Sequence, residues 1–341
     1  MFSYVPIARL CPLEVVEMVL DASDMDTLMA WRRTCVTFGA RVKRILQSLI
    51  HAIVGYYLPD PLLFMHIIRR HRAVIIAEAA LAFFLRDTSV LAMDLTVCAI
   101  PRDMRALRDE LLRAFPMHPI DEGLAYHSLN DFMLFRIRPR RYIRFVTTTP
   151  YFDRNVPQFV PSPVGRVAAA PHTAFHNFVG ADVFGCGYPQ LTLRRRVLLR
   201  TIWAGYNTPE RRAILRLCAL GRFQFSSDPS HLFDNLAPRT VDCLGHRSSC
   251  IASHYVCDCQ VRYFGDGASL VDFFDLDGAR PFDLLHSNIT GHIDGEAPGW
   301  RVWICATRPC VNYSGVYVAD TTGSWPVARE SLRFGPVAYP V

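Results

Sequence analysis

The spacing of apolar positions changes several times along the chain, and each change predicts an element. Pro12 suits the first turn of a helix, where its missing N–H costs nothing. Val15, Val16, Val19 and Leu20 then recur at helical spacing. Ser23, followed by Asp26, is the expected N-cap of a second helix that presents Leu28, Trp31 and Cys35 and stops at Gly39. Val42, Ile45 and Leu49 mark a third. Residues 50–66 are apolar but broken by Pro59-Asp60-Pro61, which predicts a linker. Residues 73–76 are a short apolar run open to strand or helix start, and 79–85 are helix-prone. Residues 91–100 predict a buried strand with Leu95, Val97 and Ala99 on one face. Pro101 opens an amphipathic helix with Met104, Leu107, Leu111, Leu112 and Phe115 inward. Strands at 132–137 and 142–147 follow, joined by a Pro-Arg-Arg turn. Thr208-Pro209-Glu210 starts a helix with Arg211, Arg212 and Arg216 outside and Ile214, Leu217 and Cys218 inside. Past residue 272 the chain is rich in Gly, Pro, Val, Tyr and Trp; 301–306 and 315–319 predict strands that extend the sheet, ahead of an irregular tail from 335.

With 341 residues, 51% apolar and 20% charged, the chain can build a sizeable core, as two domains or as one large domain with an appendage. A net charge of +6 permits an acidic partner without demanding nucleic acid. The start lacks a basic stretch followed by an unbroken apolar core, and no run approaches the roughly 18 apolar residues that span a bilayer. The expectation is a cytoplasmic or nuclear protein without membrane contact. Eleven cysteines, an odd number, read as buried reduced thiols rather than a disulfide framework.

Three constellations could carry chemistry. Cys243, Cys250, Cys257 and Cys259, with His246 and His254, suffice for a tetrahedral zinc site. They lack paired Cys-x-x-Cys knuckles, so buried thiols are the preferred reading and zinc the alternative. Arg136, Arg138, Arg140, Arg141 and Arg144 make a basic hairpin, with Arg136 and Arg138 on one face. It would suit an acidic surface or phosphates; the plainer reading is solvated faces paired with Asp and Glu. Arg194, Arg195, Arg196 and Arg200 form a second basic run. No P-loop, Gly-x-Ser-x-Gly, His-Glu-x-x-His or Gly-x-Gly-x-x-Gly element occurs, and no cofactor is expected.

The first helices carry Leu10, Pro12, Leu13, Glu14, Val15, Val16, Val19 and Leu20, then Leu28, Cys35 and Phe38. This run resembles an F-box, with Cys11 set into the opening Leu-Pro pair and Asp24-Met25 in place of Asp-Leu. The resemblance implies docking on a Skp1-type adaptor of a cullin ubiquitin ligase through Leu10, Pro12, Leu13, Val15, Val16, Val19, Leu20, Leu28, Trp31, Cys35 and Phe38. Such docking is helix-in-groove recognition. The alternative is a helical hairpin that packs on the following domain.

Further along come Ala77-Glu78-Ala79-Ala80-Leu81, then Arg86, then Ala92-Met93-Asp94-Leu95-Thr96-Val97. Phe175-His176-Asn177-Phe178, Tyr188-Pro189-Gln190-Leu191-Thr192 and a run from Arg262 to Leu270 follow in order. Together they resemble the palm of the nucleotidyltransferases, in a lineage found beside F-box-like segments in mushroom-forming fungi. The family pattern has Gly-Ser where this chain has Ala77-Glu78, and a first acid where it has Ala92. One remaining carboxylate, Asp94, does not hold Mg²⁺, and the strand that could supply a third acid carries Arg144. The implied fold is α+β: a three-helix F-box-like module over 1–49, an entry segment over 50–66, and over 67–341 a degenerate nucleotidyltransferase-like domain with a β-rich C-terminal part. The implied function is a non-enzymatic adaptor that recruits an unknown client, with Asp94 vestigial. The rivals are a nucleic-acid or nucleotide-binding protein and an active transferase.

Overall fold

The computed structural model describes residues 12–120, 132–147, 162–168, 170, 172–199, 209–227, 229–233, 262–264, 268–274 and 299–300. Helix α1 (Leu13–Ala22) begins after Pro12 as expected. The cap of α2 (Met25–Arg32) is Asp24 and not Ser23. The Asp24 carboxylate accepts from the Thr27 N–H at 2.8 Å, whereas the Ser23 hydroxyl turns back and donates to the Val19 carbonyl at 2.7 Å. One residue closes α1 and the next opens α2. Gly39 does not end α2 either. It lies within α3 (Val36–Gly55), close to the Arg32 carbonyl oxygen at the end of α2. The stretch expected as a linker continues the core: Ile50, Ile53 and Val54 extend the buried stripe of α3, and Tyr57, Leu58 and Phe64 are buried after it. Pro59-Asp60-Pro61 is a sharp turn, and Asp60 caps α4 (Pro61–Arg70) by accepting from the Leu63 N–H at 2.9 Å.

The short apolar run resolves as strand β1 (Val74–Ile76), followed by α5 (Ala77–Leu85), β2 (Asp94–Ala99) and α6 (Pro101–Ala114). Next come β3 (His118–Pro119), β4 (Phe132–Arg138), β5 (Arg141–Thr147), α7 (Gly165–Ala168), β6 (Asn177–Val179), β7 (Val183–Cys186) and α8 (Pro189–Thr192). The described chain continues through β8 (Arg196–Leu198), α9 (Pro209–Ala219), β9 (Gln224–Ser226), β10 (Arg262–Tyr263), β11 (Leu270–Phe273) and β12 (Gly299–Trp300). The main sheet has the order β11-β7-β6-β1-β2-β5-β4-β3. Every neighbouring pair is antiparallel except β2 and β5. β8 pairs with β9, and β10 with β12, in two small ladders. The strands expected at 301–306 and 315–319, and the tail from 335, lie outside the described residues.

The alternation of the central strands sorts their side chains into two cores. Ile75, Leu95, Val97, Ile143 and Phe145 join the helices α2 to α6 in one apolar cluster. Val74, Ile76, Cys98, Val146 and Phe178 join Tyr188, Leu191, Leu198 and Phe264 in the other. Gly185 permits this second core, because a Cβ there would overlap the Phe178 ring.

Two arginines bind the N-terminal helices to the sheet domain. Arg32, at the end of α2, is 6% exposed, lies 3.8 Å from the Asp272 carboxylate, and donates to the carbonyls of Phe273 and Phe274 on and after β11. Arg86, after α5, donates to the carbonyls of Leu20 and Ser23 at the C-terminal end of α1. A cation there satisfies orphan carbonyls and complements the helix dipole. No helix among the described residues is long and apolar enough to cross a membrane.

Candidate functional site

α1 shows one apolar side to solvent. Met18 is 63% exposed and Val19 47%, with Val15 exposed beside them; Leu13, 48% exposed, lies round the helix on the stripe of Leu20. The opposite side holds the helix down: Leu20 is fully buried and Val16 packs against the core. Glu17 pairs with Arg41 of α3 at 3.2 Å. The residues expected to dock a partner therefore divide. Pro12, Leu13, Val15, Val19 and Cys35 are at the surface, while Val16 and Trp31 are partly buried. Leu20, Leu28 and Phe38 belong to the chain's own core, with the Phe38 ring 4.8 Å from that of Trp31. Leu10 lies outside the described residues. Val36, 90% exposed at the start of α3, is an apolar surface residue that helical periodicity did not single out.

A second arrangement centres on two carboxylates. Glu78 stands in the first turn of α5, buried, and forms an ion pair with Arg216 of α9. Burial pushes its carboxyl above the usual range, Arg216 opposes this, and the Asp94 charge adds to it. Asp94, at the start of β2, pairs with Arg144 of β5 at 2.9 Å. Ala92 is buried, and its carbonyl accepts the Tyr57 hydroxyl at 2.9 Å. Both acids thus have an arginine of their own. Sequence reasoning placed Arg216 on a polar helix face and gave it no partner; the two residues are 138 positions apart. In the same helix Leu217 is buried as expected, but Cys218 is exposed, because α9 reaches the core through few of its apolar positions.

Between β1 and α5 the backbone turns through Ala77 at φ 61°. An L-residue in the left-handed region costs about 1–2 kcal/mol, and glycine avoids that cost. Ala77→Gly is expected to raise unfolding stability by up to about 1 kcal/mol after glycine's greater unfolded-state entropy is subtracted. Urea denaturation of the two proteins measures this; a loss of stability would contradict it.

The later landmarks converge. The Arg262 guanidinium lies over the Tyr188 ring at 4.5 Å and donates to the Gly187 carbonyl at 2.6 Å. Phe178 meets Phe264 edge-on at 4.8 Å, and His176 meets Tyr188 at 5.3 Å. Of the second basic run, Arg195 pairs with Asp87 at 2.6 Å and Arg196 donates to the Leu232 carbonyl at 2.5 Å, so both act within the fold. Cys243, Cys250, Cys257 and Cys259, with His246 and His254, lie outside the described residues. Arg136, Arg138 and Arg140 are exposed, Arg141 is partly so, and Arg144 is the partner of Asp94. No protein-family model, curated protein or solved structure matches this chain.

Proposed function

We propose that this chain is a non-enzymatic adaptor, in which the N-terminal helices dock a Skp1-type subunit of a cullin ubiquitin ligase and the larger domain recruits a client. The observation that carries the reading is the outer face of α1. Val15, Met18 and Val19 stand in water on a helix whose other side is fastened down. Burying such a side chain fully is favourable by about 1.5–3 kcal/mol, so an apolar groove that accepted all three would gain substantially. A helix offering anchors at this spacing is the form that groove recognition uses. The Arg32 and Arg86 contacts support the reading further, since they would hold the docking helix at a fixed angle to the sheet.

The paired acids support the non-enzymatic half. Metal-assisted nucleotidyl transfer needs several carboxylate oxygens turned on one cation. In this chain the one acid left at those positions, Asp94, pairs with Arg144 instead. The order β1, left-handed Ala77, α5, β2 agrees with a nucleotidyltransferase-like ancestry for the larger domain, with the glycine position filled by alanine.

The test is recovery of a purified Skp1-type subunit on the immobilised full chain. Met18→Asp with Val19→Asp changes exposed positions and is expected to shift stability by no more than about 0.5 kcal/mol per site. Wild type recovers the subunit and the double variant loses about nine-tenths of that recovery. Equal recovery from both, or none from either, contradicts the docking role.

A further inference from the structure

Among the described residues, many arginines meet a carboxylate within the chain. Arg41, Arg69, Arg70, Arg144, Arg195, Arg216 and Arg222 each meet a carboxylate. The β4–β5 hairpin gathers four that do not. Arg136, Arg138, Arg140 and Arg141 make no ion pair with any described residue, and the first three are exposed. The plainer expectation, that these charges are paired with Asp and Glu, is met by Arg144 with Asp94; among the described residues the other four have no such partner.

The turn residue makes the same point through the backbone. Arg140 follows Pro139 and holds φ at 59°, a position where glycine would be free of strain. Arg86 and Arg195 are also left-handed, but their guanidinium groups have partners inside the fold. The Arg140 side chain has none among the described residues.

Apolar surface adjoins the charge. The Arg141 guanidinium covers one face of the Tyr56 ring at 3.8 Å, and Tyr57 meets that ring edge-on at 5.0 Å. Met93, 53% exposed, is tied to the hairpin by the Tyr142 N–H donating to its carbonyl at 2.9 Å. A nucleic-acid strand would need free aromatic faces on which to stack its bases. Tyr56 is already covered by Arg141, and Met93 has no ring. An exposed thioether beside arginines suits instead an aliphatic side chain flanked by carboxylates, with the arginine forks binding those carboxylates in pairs.

We propose that the tip of the β4–β5 hairpin, with Tyr56 and Met93 beside it, binds an acidic peptide segment that carries an apolar side chain. Naming that segment as part of the client rests on the adaptor reading; the binding itself does not.

The probe is a fluorescent peptide of about 15 residues, Asp and Glu throughout with one central Leu, titrated with the full chain and read by anisotropy. Arg138→Glu with Arg140→Glu is expected to weaken binding at least about tenfold, as is raising salt from about 50 to about 300 mM. Replacing the central Leu by Ser weakens it several-fold. Arg140→Gly relieves the left-handed backbone, so its Tm equals or exceeds that of wild type while its affinity falls, which separates lost recognition from lost folding. The Met18→Asp/Val19→Asp variant keeps the peptide while losing the Skp1-type subunit, so either half can fail without the other. No binding of the peptide at low salt, unchanged affinity in the charge-reversed variant, or tighter binding of a single-stranded oligonucleotide of equal charge would overturn the proposal.

Discussion

Arg32→Ala is expected to destabilise the whole fold by about 3–5 kcal/mol, the usual cost of removing one partner from a buried ion pair. The arginine is buried against Asp272, itself 6% exposed, and donates to two consecutive backbone carbonyls. Its loss leaves a buried carboxylate without its cation and removes a donor from both carbonyls. Burial already pushes the Asp272 carboxyl upward, with Arg32 opposing that shift. Without the arginine, that upward shift of the Asp272 carboxyl grows, or the contact opens. Since Arg32 ends α2 and Asp272 lies on β11, the opening separates the N-terminal helices from the sheet edge. Urea denaturation of the full chain measures the loss, and hydrogen exchange at residues 13–32 locates it. Arg33→Ala, at an exposed neighbour, changes stability by no more than about 0.5 kcal/mol. A cost for Arg32→Ala below about 1 kcal/mol would contradict the role given to this contact.

His172 gives the second large effect, and it depends on pH. The imidazole is 1% exposed, its ring lies 4.2 Å from that of Phe175, and neither ring nitrogen has a hydrogen-bond partner among the described residues. Burial pushes it down to about 3 from its ordinary 6.5. The folded chain holds this histidine neutral, while the unfolded chain protonates it below about 6.5. Its contribution to stability is therefore whole above that pH. It is lost as pH falls toward 3, at up to roughly 1.4 kcal/mol per unit. Glu78 and Asp272 act in the opposite sense, because their raised carboxyls take up protons in the folded chain before the unfolded one. The difference between wild type and His172→Phe isolates the histidine. Between pH 7 and 4.5 the stability of wild type is expected to fall by roughly 2–3 kcal/mol more than that of the variant. Parallel stability curves would show that His172 gains a proton without unfolding.

The elements that were legible were those whose signal is local. Pro101 and the apolar positions behind it marked α6, and β2 declared itself by an uncharged run after Asp94. Local punctuation also misled. Pro59-Asp60-Pro61 drew attention as a break, although Ile50 and Ile53 prolong the stripe of Val42 and Leu46, and that stripe fills the core on both sides of the turn. Ser23 and Asp24 are both good caps, and composition does not say which turns its oxygen forward.

The candidate sites were legible in part, for the same reason. The apolar run of α1 could be read directly, yet which of its residues face outward depends on where Leu20 and Val16 pack. The partners of the acids could not be read. Arg32 reaches a carbonyl 241 residues away, and Arg216 reaches Glu78 across most of the sheet domain. Such pairings leave no linear pattern, so the hairpin arginines looked no different in sequence from arginines that are neutralised. The contrast emerges only in three dimensions, among the described residues.

The docking of α1 is tested most directly by calorimetric titration of the purified full chain with a purified Skp1-type subunit. A one-to-one complex with Kd in the micromolar range or tighter is the expected result, with ΔG of about −8 kcal/mol or better and a negative heat-capacity change from the buried apolar face. No binding heat at several temperatures, with both proteins eluting independently when mixed at tens of micromolar, would contradict the adaptor reading.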